Sequence, residues 1–215
     1  MAIIAPMYED FEVEEELSRE EVKDFYNKFK KEIEADNWSD ILSKANLSET
    51  QTLKKIFNII LEENLLEKLD HIPSDLYRND TSLEEIIIPA TIKTIEENAF
   101  AGCKNLKKVI MDDSVIEIYS NVFANCVELK ELKLSNSLTE IPNTCFKNCK
   151  SLHKLFIPDS VNTMKYDVFS GCPEDMVLEL NHVKRSENPE KPYGINMKSS
   201  TAEFYKKHRV FINEK

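Results

Sequence analysis

A column of apolar residues recurs every twenty-three positions from Ile72, as Ile72, Ile95, Ile118, Ile141 and Met164. An aromatic column keeps step five residues later, as Tyr77, Phe100, Phe123, Phe146 and Phe169. Three residues further on stand Cys103, Cys126, Cys149 and Cys172, with Asp80 in the place of the first cysteine. A fixed period of this size is the signature of a solenoid, in which each repeat buries its apolar face only against its neighbours. It constrains function too. Repetition puts the same kind of residue at every rung, which suits an extended binding surface better than a unique catalytic pocket.

Within the repeat, full rungs begin at Leu83, Leu106, Leu129 and Leu152. Each opens with alternating apolar residues: Ile86 and Ile88, Val109 and Met111, Leu132 and Leu134, Leu155 and Ile157. Period-two alternation reads as a strand with one buried face. Leu178 and Leu180 continue both columns as a fifth strand that closes the stack. After each strand come the column Ile92, Val115, Leu138, Val161, then the isoleucine column, then a short helical segment ending in the aromatic residue. The position before each cysteine is held only by Gly102, Asn125, Asn148 and Gly171, with Asn79 in the opening half rung. Glycine and asparagine tolerate the left-handed conformation that ends a helix, so a tight cap is expected there.

The flanks differ from the repeat. Residues 1–17 form an acidic arm with scattered apolar residues. In 18–65, three amphipathic helices are expected: one opened by a Ser18–Glu21 capping box, one capped by Asn37, and one begun by Ser48 with Gln51. The solenoid covers 66–181, a polar proline-bearing loop 182–193, and a C-terminal cap 194–215. In that cap, Ile195–Met197 and Val210–Ile212 read as strands, around a helix from Thr201 capped by Ser200.

Net charge is -11 with pI near 5, against a nucleic-acid surface, which needs a basic stripe. No stretch reaches the roughly 20 apolar residues of a membrane span. Met1–Met7 has no basic n-region and does not read as a signal peptide, so a cytoplasmic location is expected. Five cysteines, four of them in the repeat column, fit buried reduced thiols in a reducing compartment better than a disulfide framework. Cys145 and Cys149 are four apart, yet Cys145 falls in the core column Ala99, Val122, Val168, and the paired short spacings of a zinc site are missing. His71, His153, His182 and His208 occupy unrelated places in the repeat. No phosphate loop, nucleophile elbow or metal-binding histidine pair occurs. No catalytic residue, cofactor or metal ligand is assigned.

The outward side of the strands carries the candidate site. One column reads Glu85, Lys108, Glu131, Lys154, an alternating ladder that serves solubility and register. The next reads Ile87, Ile110, Lys133, Phe156, where three large apolar groups stand in place of polar ones. A stripe of that kind marks a contact, either with a protein partner or with the arm or C-terminal segment of this same chain.

The unit Leu-x-x-Ile-x-Ile-Pro-x-x-Ile-x-x-Ile-x-x-x-Ala-Phe-x-Gly-Cys at 83–103 resembles the BspA-type leucine-rich repeat, also called the Treponema pallidum type. The likeness extends from about Leu69 to Leu180, and the ending from Gly194 to His208 resembles that family's strand–helix terminator. It implies an α/β repeat solenoid of leucine-rich repeats, with a mainly parallel sheet, short helical turns and, in this chain, an N-terminal helical cap. It also implies protein binding, often by surface or secreted proteins. The leading expectation is a non-catalytic protein–protein recognition module using the sheet face. An adhesin-like surface protein and an assembly subunit of a homo-oligomer are the alternatives, and partner identity and oligomeric state stay open.

Overall fold

The computed structural model describes residues 70–180, 195–198, 200–201 and 209–212 and, ahead of them, positions 28, 31–33, 35–44, 53–55 and 57. The acidic arm, the loop 182–193, the Ser18–Glu21 box and the Ser48–Gln51 start lie outside the described residues. From 70 onward the chain winds as a solenoid, with a half rung at 70–82 and full rungs starting at 83, 106, 129 and 152.

Each rung has three sides. The first is a strand of the wide sheet: β2 (Glu85–Ile88), β4 (Lys108–Met111), β6 (Glu131–Lys133), β8 (Lys154–Ile157), β10 (Val177–Leu180) and β12 (Arg209–Ile212). The second is a two-residue strand of a narrow sheet: β1 (His71–Ile72), β3 (Thr94–Ile95), β5 (Glu117–Ile118), β7 (Glu140–Ile141), β9 (Thr163–Met164) and β11 (Asn196–Met197). All pairings are parallel, and β2–β4 is in register as Glu85 opposite Lys108 and Ile87 opposite Ile110. The expected fifth strand does not close the stack. It is followed by β12, which pairs with β10 in parallel.

The third side, expected as a short helix, is instead an arch of successive turns. In the second rung the amides of Ala99, Ala101 and Cys103 bond back three residues, while those of Asn98, Phe100 and Gly102 bond forward to Ser120, Val122 and Ala124 of the next rung. The same alternation recurs around Phe123 and Phe146. A helix would spend every amide inside the segment; the arch spends half of them joining rungs. Its geometry needs two left-handed residues per rung. Besides the anticipated column at 79, 102, 125, 148 and 171, a second one is formed by Asp75, Asn98, Asn121, Thr144 and Asp167, with φ between 54° and 61°. Gly102 has a further reason to lack a side chain, since a Cβ there would lie 2.2 Å from Asn79 Oδ1.

Neither sheet is continuous. The narrow sheet divides between β5 and β7, and the wide sheet between β6 and β8. In the other rungs the residue after the short strand donates to the rung before, as Tyr119 does to Ile95 and Lys165 to Ile141. At the narrow break that position is Pro142, which has no amide to give. The wide sheet breaks where Pro158 follows β8, in the position from which Asp112 donates to Ile88. There the amide of His153 also turns inward to Ser151. The breaks fall at successive junctions, so each junction keeps one sheet and the arch.

The core lies inside the coil. Phe100, Phe123, Phe146 and Phe169 are buried and stacked at centroid spacings of 5.5–6.1 Å, with Tyr77 5.2 Å from Phe100. The column runs on into the N-terminal region, where Phe57 meets Tyr77 edge-on at 6.5 Å and Trp38 meets Phe57 at 5.2 Å. Trp38 opens helix α1 (Trp38–Lys44). As expected, Asn37 caps it, its Oδ1 accepting from the Asp40 amide at 3.3 Å. At the other end Ser200, expected as a cap, is already helical, and its hydroxyl accepts from the Asp167 amide of the last arch.

Candidate functional site

The wide sheet presents two outward columns, set by the pleat. In the first, Lys108 lies 3.9 Å from both Glu85 and Glu131. The ladder stops there. Lys154, expected to continue it, instead pairs at 2.8 Å with Glu179, in the other column of the neighbouring strand. The exchange coincides with the break between β6 and β8.

In the second column Ile87 is 46% exposed, Ile110 and Phe156 are half-buried, and Lys133 is exposed between them. Register makes Ile87, Ile110 and Lys133 direct neighbours. Phe156 belongs to the second half of the sheet, opposite Glu179. The expected stripe is therefore an Ile87–Ile110 patch in the first half and a separate Phe156 in the second, with Lys133 at the division.

The thiols are structural. Cys103, Cys126, Cys145 and Cys149 are buried, while Cys172, expected to match them, is only half-buried at the last full rung. Each column thiol donates to the carbonyl of the aromatic residue one rung back: Cys103 to Tyr77, Cys126 to Phe100, Cys149 to Phe123 and Cys172 to Phe146, at 2.9–3.2 Å. Burial raises the pKa of all five, that of Cys126 and of Cys172 to about 12. Loss of solvent disfavours the thiolate in each of them, as expected of thiols that fill the core as small apolar groups.

Where the thiol column meets the N-terminal region, Asp80 replaces cysteine. Its Oδ2 pairs with Lys54 Nζ at 2.6 Å, and both side chains are almost out of solvent. Burial opposes ionisation of Asp80, but the bonds from Lys54 and Ser82 outweigh it and hold its carboxyl below the ordinary range. The Lys54 ammonium also lies 5.9 Å from the centre of the Tyr77 ring. This buried pair joins the helical region to the first rung.

Sequence reasoning did not single out the narrow face. Ile116 and Tyr119 are each about half exposed there, as is Tyr166 where the last arch begins. The Glu117 carboxylate beside Tyr119 raises the pKa of its phenol. The signal was available, since Ile116 and Tyr119 are the outward positions flanking the short strand that ends in Ile118. His71, largely buried, and His153, exposed, pair with different aspartates, Asp36 at 3.3 Å and Asp175 at 2.9 Å, at separate places in the molecule. Among the described residues no cluster of three His, Cys, Asp or Glu is placed to hold a metal, and no helix is long and apolar enough to cross a membrane.

Residues 70–184 match the family model described as the BspA type leucine rich repeat region, in six copies. Among solved structures, the chain is similar to a leucine rich repeat protein of T. pallidum, at 27% identity and TM-score 0.49 over 51% of each chain. It is also similar to a leucine rich cell surface protein of Faecalibacterium prausnitzii, at 24% identity and TM-score 0.46 over 62% of this chain and 33% of that one. A leucine-rich repeat protein of Bacteroides ovatus is 18% identical, with TM-score 0.31 over 52% and 43%. The chain thus spans a third to a half of the length of these proteins. No curated protein matches it.

Proposed function

The chain belongs to the BspA type leucine-rich repeat family, and on that footing we propose that it is a non-catalytic protein-recognition module whose contact surface is the outward side of the wide sheet. The observation that carries this reading is the Ile87–Ile110 patch on β2 and β4, apolar and accessible, bordered by the Glu85–Lys108–Glu131 ladder. Apolar groups at the centre of such a patch supply most of the binding energy, and charges at its rim set orientation and partner choice. Lys133 stands at the edge of the first half, and Phe156 and Lys154 extend the surface into the second half of the sheet. The repetition of core residue types at each rung supports a binding role over chemistry. Free thiols suit a reducing compartment, and the acidic net charge suits a protein partner rather than nucleic acid.

The test is capture of partners from the native host with the full chain and with Ile87→Ser/Ile110→Ser, followed by titration of the purified partner. The variant is expected to lose the partner while its unfolding free energy changes by only about 0.5 kcal/mol. Retained binding at unchanged stability would remove the patch from the contact. A wild-type chain that self-associates, and becomes monomeric on the same substitution, would assign the face to a homo-oligomer instead.

A further inference from the structure

On the arch side, two outward columns read Arg78, Ala101, Ala124, Lys147 and Lys104, Val127, Lys150. Within each column the long cationic residues stand at the ends, and Ala101, Ala124 and Val127 lie between them. The result is a groove of about 690 Å³ floored by Ala101 and Ala124 and rimmed by Arg78, Lys104, Lys147 and Lys150. No aspartate or glutamate lines it, although the chain has 39 acidic residues against 28 basic ones. Arg78 is held at the rim by Asp75 at 2.9 Å. The three lysines are exposed and have no ion-pair partner among the described residues.

From this arrangement we propose that the arch groove binds an acidic, extended peptide segment of a partner protein. Arg78 and Lys147 are three rungs apart, about 14 Å at about 4.8 Å per rung, and an extended peptide covers that distance in four or five residues at about 3.3 Å each. Alternate carboxylates of such a segment face the rim cations. The side-chain amides of Asn98 and Asn121, which also line the groove, can bond its backbone. No aromatic residue lines the groove for bases to stack on, which favours a peptide over a nucleic acid. Lysine, a mobile point charge, suits a carboxylate-rich strand whose groups are not in one fixed geometry. This surface lies on a different side of the rung from the wide sheet, so neither proposal depends on the other.

The experiment is fluorescence anisotropy on the full chain with a labelled glutamate-rich peptide, the same peptide with glutamine in place of glutamate, and a heparin-derived oligosaccharide as a third probe. The acidic peptide is expected to bind, the glutamine peptide not. Affinity should fall by about tenfold in Lys104→Glu/Lys147→Glu/Lys150→Glu and on raising salt from about 0.05 to about 0.3 M. Lys104→Gln/Lys147→Gln should show a smaller loss with an unchanged melting temperature, which separates a binding effect from a folding one. Ile87→Ser/Ile110→Ser should bind the peptide as the wild type does. Equal binding of both peptides, no binding of the acidic one, or indifference to the lysine substitutions would overturn the proposal. Binding of the oligosaccharide but not the acidic peptide would overturn it in favour of a polysaccharide.

Discussion

The arch and the two sheets join the same rungs by different means. Across four successive junctions the arch repeats the same three forward hydrogen bonds, centred on Tyr77, Phe100, Phe123 and Phe146. Each sheet is interrupted once, at a rung where proline takes the place of a ladder donor. The arch keeps all its donors at these junctions, and they belong to residues fixed on either side by left-handed turns and by the stacked aromatic column. The sheets tolerate the loss because their breaks are offset by one rung. The wide sheet is therefore the side on which outward residues can change with least effect on the coil, and it is there that the charge ladder and the apolar patch shift partners, at the β6–β8 break.

If the arch is the spine, its residues should dominate stability. Phe123→Ala removes a buried ring stacked on both sides and should cost about 3–5 kcal/mol in chemical denaturation. A loss below about 1 kcal/mol would put the arch on a par with the sheets. Lys54→Met leaves Asp80 buried without its counter-charge, at a comparable cost of about 3–5 kcal/mol. The pH dependence sharpens this. Since the folded pKa of Asp80 is depressed, the pair stabilises the fold fully above the unfolded carboxyl value of about 3.9 and loses that contribution as pH falls through the lower folded value. The gap between wild type and Lys54→Met should accordingly narrow below about pH 4, and a gap independent of pH would contradict the charge pairing.

A smaller effect of opposite sign is expected at Thr144, a β-branched residue at φ 54° in a column otherwise held by asparagine and aspartate. Thr144→Asn should raise stability by about 1 kcal/mol or less, offset in part by the lost hydroxyl bond to Asn121. No gain would mean that the arch relieves the strain elsewhere. Smallest of all is the sheet face, where the Ile87→Ser/Ile110→Ser change already described should leave stability within about 0.5 kcal/mol.

The sequence disclosed the period, the buried columns and the cap at Asn37, because each rests on spacing and residue type alone. The Gly/Asn column also announced its left-handed turns. What it did not disclose follows from its ambiguities. Four residues with a buried aromatic at the end satisfy a helix or a turn equally well, and the second left-handed column is disguised by Thr144. Pro142 and Pro158 stand in plain view, but their effect depends on which neighbouring carbonyl the absent amide would have met. The arch groove is written in the columns of Arg78 and Lys104, yet a column of mixed lysine and alanine says nothing until the rung's outward side is known. The wide-sheet columns were placed correctly on the outward side, and their division at Lys133 required the register.

Native-state hydrogen exchange at the junction between the fourth and fifth rungs tests the arch as spine most directly. There the Phe146 amide crosses to Val168 at 3.0 Å within the arch, while the His153 amide, beside the sheet break, bonds only inside its own turn at 3.1 Å. Phe146 is expected to exchange only through global unfolding, with His153 exchanging through local opening and losing its deuterium label orders of magnitude sooner. Equal protection of the two amides, or faster exchange at Phe146, would contradict the claim that the arch holds the coil together where the sheet does not.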